Sequence, residues 1–299
     1  MFPIIPANSA TASGNDEGIF GFGENAAPAA ATAITNLVSN TGVIATDTAG
    51  VGTARGQLAA TQYGGDKGIF GFGPTAGGSL TNLVSNTGVV ATDQAATTGT
   101  ARRFPAACSY GGDKGVFGFG NDGSLQSMTN LVSNAGVVAT DVAGVGTARE
   151  MPAACEYGGD KGIFGFGWLG GATNTGVTNL VSNAGVVASD VAAVGTARRY
   201  VGACSFGGDK GIFGYGYTST TVGMTNLVSS SGVVASDVAV VGTVKNKPSA
   251  CEWDQDKGIF GYGEGPLNAS NLVSDAGVVA SDVAGVGTAR DALAACSFN

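Results

Sequence analysis

Hydrophobic and polar positions in this chain follow a short pattern that returns six times. The segment G-[IV]-F-G-[FY]-G recurs with its first aromatic at Phe20, Phe70, Phe117, Phe164, Phe213 and Phe260, 47 to 50 residues apart. Within Ile69-Phe70-Gly71-Phe72-Gly73 the two-residue alternation predicts a strand, with Phe70 and Phe72 on one face and Ile69, Gly71 and Gly73 on the other. Aromatics of one repeat are then expected to fill the space over the glycines of the next. Asn82-Leu83-Val84, Val89-Val90-Ala91 and the Ala-Ala-Cys segment read as three further strands. Gly-Gly-Asp-Lys and Ser-Asn-x-Gly supply the turns between them.

Four short antiparallel strands per repeat predict an all-β fold, a six-bladed β-propeller over residues 1–299 with 1–14 as an N-terminal extension. The chain ends on Ala294-Ala295-Cys296-Ser297-Phe298, a first strand with nothing after it, and begins with a second strand near Gly18-Ile19-Phe20. Joining the two closes the ring and removes open sheet edges. An open β-solenoid is the alternative, although solenoids carry distinct capping repeats.

The repeat resembles the kelch family. The likeness lies in an Arg such as Arg102, an Ala-Ala inner strand, and a glycine-ended aromatic strand such as Gly115-Val116-Phe117-Gly118-Phe119-Gly120. The kelch Gly-Gly doublet is reduced to one Gly, and its outer-strand Trp is missing, since Trp168 and Trp253 stand elsewhere in the repeat. The likeness implies an architecture and no particular ligand. The wording D-K-G-I-F-G-[FY]-G with T-N-L-V-S-N-x-G-V-V also resembles repeat-bearing virion proteins of tailed phages, particularly marine and cyanobacterial ones. That resemblance implies a structural or attachment role on a particle, with other virion proteins or a host-surface glycan or protein as partners. A flat disc with two stackable faces also allows self-association. A lectin-like binding module of cellular origin is the alternative.

Composition narrows the chemistry. The chain has 299 residues, a net charge of −8 and no histidine, which removes the commonest general base and metal ligand. No Lys/Arg run exists to meet nucleic-acid phosphates. No stretch is apolar enough to span a membrane, and Met1–Ala10 lacks the features of a secretory signal. A virion location, after synthesis in a host cytoplasm, is what the resemblance to phage virion proteins implies. Phosphate-loop, G-x-S-x-G and zinc motifs are absent, so no catalytic residue, cofactor or metal is assigned.

Charged residues also repeat. Asp16, Asp66, Asp113, Asp160, Asp209 and Asp256 precede the aromatic strand; Asp47, Asp93, Asp141, Asp190, Asp237 and Asp282 end the Val-rich segment. Arg55, Arg102, Arg149, Arg198 and Arg290 form a basic series, with Lys245 in the remaining copy. Groups present in every repeat suit turn capping and ion pairing better than a catalytic site; an axial ring of carboxylates binding cations is the functional alternative. Cys108, Cys155, Cys204, Cys251 and Cys296 occupy one repeat position, with Thr61 in the sixth copy. They read as small buried residues, and a soft-metal ring is the alternative.

Two segments differ between repeats, one after the aromatic strand and one just past the Arg. They are expected to share one face and to carry recognition. Trp168, Tyr217, Tyr200, Arg103 and Phe104 are the candidate contacts there.

Overall fold

The computed structural model describes residues 17–26, 29–74, 79–94, 99–240, 242–265 and 267–298. The 1–14 extension and Asp16 lie outside the described residues. The described chain is all-β, built of small antiparallel sheets. No helix in it is long and apolar enough to cross a membrane.

Five sheets arise from consecutive sequence. Each has a first strand (Ala59–Tyr63, Ala106–Tyr110, Ala153–Tyr157, Gly202–Phe206, Ser249–Trp253), a middle strand beginning at the lysine of the turn, and a third strand ending on the Asn-Leu-Val segment. The sixth unit joins the two ends of the chain. Ala294–Ser297 pairs with Gly18–Gly21, in the register Gly18↔Ser297 to Gly21↔Ala294, and Gly18–Gly21 pairs with Thr35–Val38. The first strands touch one another in sequence order, and Ala294–Ser297 also touches Ala59–Tyr63, so the succession returns to its start.

Glycines set how closely the units approach. A Cβ on Gly71 would lie 2.7 Å from Phe117 Cζ of the next unit. The same relation links Gly21 to Phe70, Gly118 to Phe164, Gly165 to Phe213, Gly214 to Phe260 and Gly261 to Phe20. The expected match of aromatic over glycine is therefore present at all six junctions, including the one that joins the chain ends.

The second aromatic departs from expectation. Phe72 does not share a face with Phe70. Phe70 meets Phe22 of the preceding unit, and Phe72 meets Phe117 of the following one. Phe22, Phe72, Phe119, Phe166, Tyr215 and Tyr262 all adopt φ between 62° and 66°, which breaks the alternation and turns the ring to the opposite face. Left-handed backbone at a bulky residue costs about 1–3 kcal/mol. Each ring lies edge-on or tilted to the next unit's aromatic at 5.1–5.2 Å and under a cation at 3.9–5.1 Å, contacts of about 1 kcal/mol each that offset the strain.

The Val-rich segment is also corrected. Among the described residues it touches the third strand through isolated bridges such as Val84↔Val90. Just past the aspartate a further bridge such as Thr81↔Gln94 follows, replaced in one unit by the two-residue strand Val238–Ala239. Most units are thus three-stranded. The buried Asn82 side chain donates to Ala91 O at 3.0 Å and to Asp93 Oδ1 at 2.9 Å. A side chain takes the place of the backbone ladder there, and Val89 is left 63% exposed.

Candidate binding face

The residues common to all repeats are engaged in holding units together. Arg55 is buried, and its Nε donates to Phe72 O, its Nη1 to Thr53 O and its Nη2 to Asn82 Oδ1, at 2.7–3.1 Å. Burial lowers its pKa to about 10, and Asp93 opposes the shift. Asp93 in turn accepts from the Thr53 amide and hydroxyl, tying the outermost segment of a unit to the connection that enters it. Arg198 and Arg290 repeat the arrangement. Arg102 keeps the bonds to Phe119 O and Thr100 O with Nη2 unpartnered, and Arg149 keeps those to Thr147 O and Asn179 Oδ1 with Nε unpartnered. Lys245 takes the position against Asp282 at 3.5 Å. Across the chain ends, Thr288 donates to Asp47 in the same way.

The uniform turns lie together. Asp66, Asp113, Asp160, Asp209 and Asp256 each pair with the following lysine at 2.5–2.8 Å. Asn86, Asn134 and Asn183 of the Ser-Asn-x-Gly turns donate to the first three of these. Backbone bonds link neighbouring units, from Gly64 N to Asp113 O and from Gly111 N to Asp160 O.

Cys108, Cys155, Cys204, Cys251 and Cys296 are free and buried. Each Sγ sits 2.5–2.7 Å from where a Cβ would be on Gly162, Gly211, Gly258, Gly18 and Gly68 of the adjoining unit; Thr61 Cγ2 does the same at Gly115. Burial pushes the Cys155 and Cys296 thiols up to about 12, so they stay protonated near neutral pH.

The two variable segments meet at the other end of the middle strand. Arg103 bridges to Asn121, Glu150 to Trp168, and Arg199 to Tyr217. Next in the chain comes a second set of left-handed residues: Gln57, Phe104, Met151, Tyr200, Lys247 and Ala292, with φ of 50–59°. Phe104 N donates to Gln57 O and Gln57 N to Ala292 O, so neighbours in this set are joined directly. All six line one cavity of about 130 Å³, whose walls are the Leu, Pro or Val after each and the first-strand alanines.

Of the predicted contacts, Phe104 and Tyr200 line this cavity, whereas Trp168, Tyr217 and Arg103 do not. Phe104 and Tyr200 meet edge-on at 5.7 Å. Tyr200, Trp168 and Tyr217 gather around the Arg199 guanidinium, at 5.7, 5.4 and 5.0 Å from ring centre to carbon. Arg103 stands apart from that corner, 3.8 Å from Glu150, which is fully buried. Burial raises the Glu150 pKa, and Arg103, Asn121 and Arg199 work against the shift. Sequence reasoning did not single out Arg199, Lys247, Gln57 or Met151. Their signal is positional: each lies one or two residues past the repeated cation, where side-chain type changes from copy to copy. No family model and no curated protein matches the chain.

Proposed function

We propose that the chain is a non-enzymatic structural and binding protein: a closed six-bladed propeller that meets its partner through the face around the axial cavity. The cyclic contacts and the glycine–aromatic match at six junctions support the propeller reading. The observation that carries the binding reading is the set Gln57, Phe104, Met151, Tyr200, Lys247 and Ala292. Six equivalent positions hold a left-handed backbone that glycine would adopt at least cost, and six different side chains stand there. The other left-handed set is always aromatic, buried and part of shared packing. Variation at the first set places chemical diversity at one spot on a uniform scaffold.

A non-enzymatic role is supported by how the repeated polar groups are used, since the Arg, Asn, Asp and Thr series bond one another. The repeat's resemblance to phage virion proteins supports a place on a particle, where such a rigid disc serves assembly or host attachment. The aromatic corner at Arg199 favours a second reading, a lectin-like module.

Immunogold electron microscopy on particles from the source culture tests the location, and label at a fixed place on the virion is expected. Beads bearing the wild-type chain should retain cells of that culture, and beads bearing the Trp168→Ala, Tyr200→Ala double variant should not. Equal retention by both removes the assignment of this face.

A further inference from the structure

Arg199 differs from Arg103 and Lys247 on this face in making no ion pair within 4 Å among the described residues. Arg55, Arg198 and Arg290 donate from Nε, Nη1 and Nη2 to backbone and asparagine oxygens. Arg102 Nη2 and Arg149 Nε are each buried without a partner but sit on side chains that make two other bonds. Lys247 lies 3.4 Å from Asp291 and 3.7 Å from Glu264. The Arg199 side chain makes no hydrogen bond or ion pair with a described residue, and its buried Nε has no partner. Glu150 is within electrostatic range, but the ion-pair contact it makes is with Arg103.

Trp168, Tyr200 and Tyr217 are each half-buried, and their rings surround the guanidinium. Such walls fix a planar cation and leave the donors at its edge unspent. Two parallel N–H groups in that plane match the two oxygens of a carboxylate. The aromatic surface beside them suits a rigid ring carrying the carboxylate. An acidic peptide side chain brings the charge on a flexible stem, loses more rotamer freedom on binding and has no ring to lay on Trp168 or Tyr217.

We propose that Arg199, walled by Trp168, Tyr200 and Tyr217, is a subsite for the carboxylate of an acidic saccharide, with the pyranose ring resting against the aromatics. This rests on the reading of the face as a recognition surface and narrows its ligand to carboxylated sugars.

Tryptophan fluorescence tests it directly. The chain has two tryptophans and Trp253 is buried beneath its own turn, so a ligand-dependent change reports Trp168. Tri-galacturonate and sialyllactose are the probes, with methyl-esterified galacturonate, lactose and tri-glutamate as comparisons. The expected result is a saturable change with at least one acidic sugar, weakened about tenfold or more by esterification or removal of the carboxylate and by Arg199→Gln, as loss of a charge-assisted bidentate bond implies. Arg199→Lys should recover only part of the affinity, and an unchanged melting temperature in both variants keeps the comparison independent of folding. Equal binding of the neutral sugars, equal binding of tri-glutamate, an unaffected Arg199→Gln variant, or no response to either acidic sugar each overturns the proposal. If beads bearing the wild-type chain still retain cells while the acidic sugars give no response, this subsite fails and the binding face stands.

Discussion

Phe117 Cζ lies 2.7 Å from the point at which a side chain on Gly71 would begin. No methyl group fits there without displacing the aromatic, so close approach of two units depends on a hydrogen atom at that position. Gly71→Ala should destabilise the fold by about 1–3 kcal/mol, the usual range for overpacking a dense core. Gly261 stands in the same relation to Phe20, across the junction of the chain ends. Chemical denaturation of Gly261→Ala should show a comparable loss. A neutral Gly261→Ala beside a costly Gly71→Ala would mean that the ends do not close in solution.

Acid should loosen the outer segments. Asp282 is held at about 2, first by the Thr243 hydroxyl, then by Asn271, the Thr243 amide and Lys245, against the opposing effect of burial. Its unfolded value is near 3.8. The folded pKa is the lower, so the contribution is complete above about pH 4 and is lost as pH falls toward 2. Asp47, Asp93, Asp141, Asp190 and Asp237 are lowered too, burial being outweighed by their threonine and asparagine bonds. Melting temperature should therefore drop steeply across that window. Thr243→Val should cost about 1 kcal/mol at pH 7 and little at pH 2; an equal cost at both would separate the bond from the titration.

Glu252 behaves in the opposite sense. Burial first, then the charges of Glu156 and Asp256, raise its pKa to about 8. The folded value exceeds the unfolded one, so ionisation opposes folding as pH rises from about 4.5 to 8. Glu252→Gln should be more stable than wild type at pH 8 by about 1–3 kcal/mol, with the advantage shrinking toward pH 5. A pH-independent difference between the two melting curves would count against a neutral Glu252.

Met151 holds φ of 59° at the cavity. Met151→Gly should relieve that backbone and raise stability by about 1 kcal/mol, less whatever side-chain packing is lost. A clear fall in melting temperature would show that packing of Met151 outweighs its backbone strain.

Local periodicity made much of the fold legible. Strands of the G-[IV]-F-G type announce themselves because alternation is a property of neighbouring residues, and Gly71 opposite Phe117 follows once identical units are stacked. The reversed face of Phe72 was not legible, because its left-handed backbone is sustained by Arg102 and Phe117 from the next unit. The Val-rich segment misled for a related reason: its apolar residues suit a ladder, but Asn82 takes the carbonyl that a ladder would use.

What the sequence by itself determined is the period, three of the four strands, the turns and the two segments in which repeats differ, since each is written in residues close together. Only the tertiary structure decided that Tyr200, Trp168 and Tyr217 surround an Arg199 with unspent donors. Trp168 comes from one unit and Arg199 from the next, and their meeting depends on how far and at what angle whole sheets pack. That spacing is set by glycine–aromatic contacts summed around the succession of units, a property that no single stretch of the chain contains.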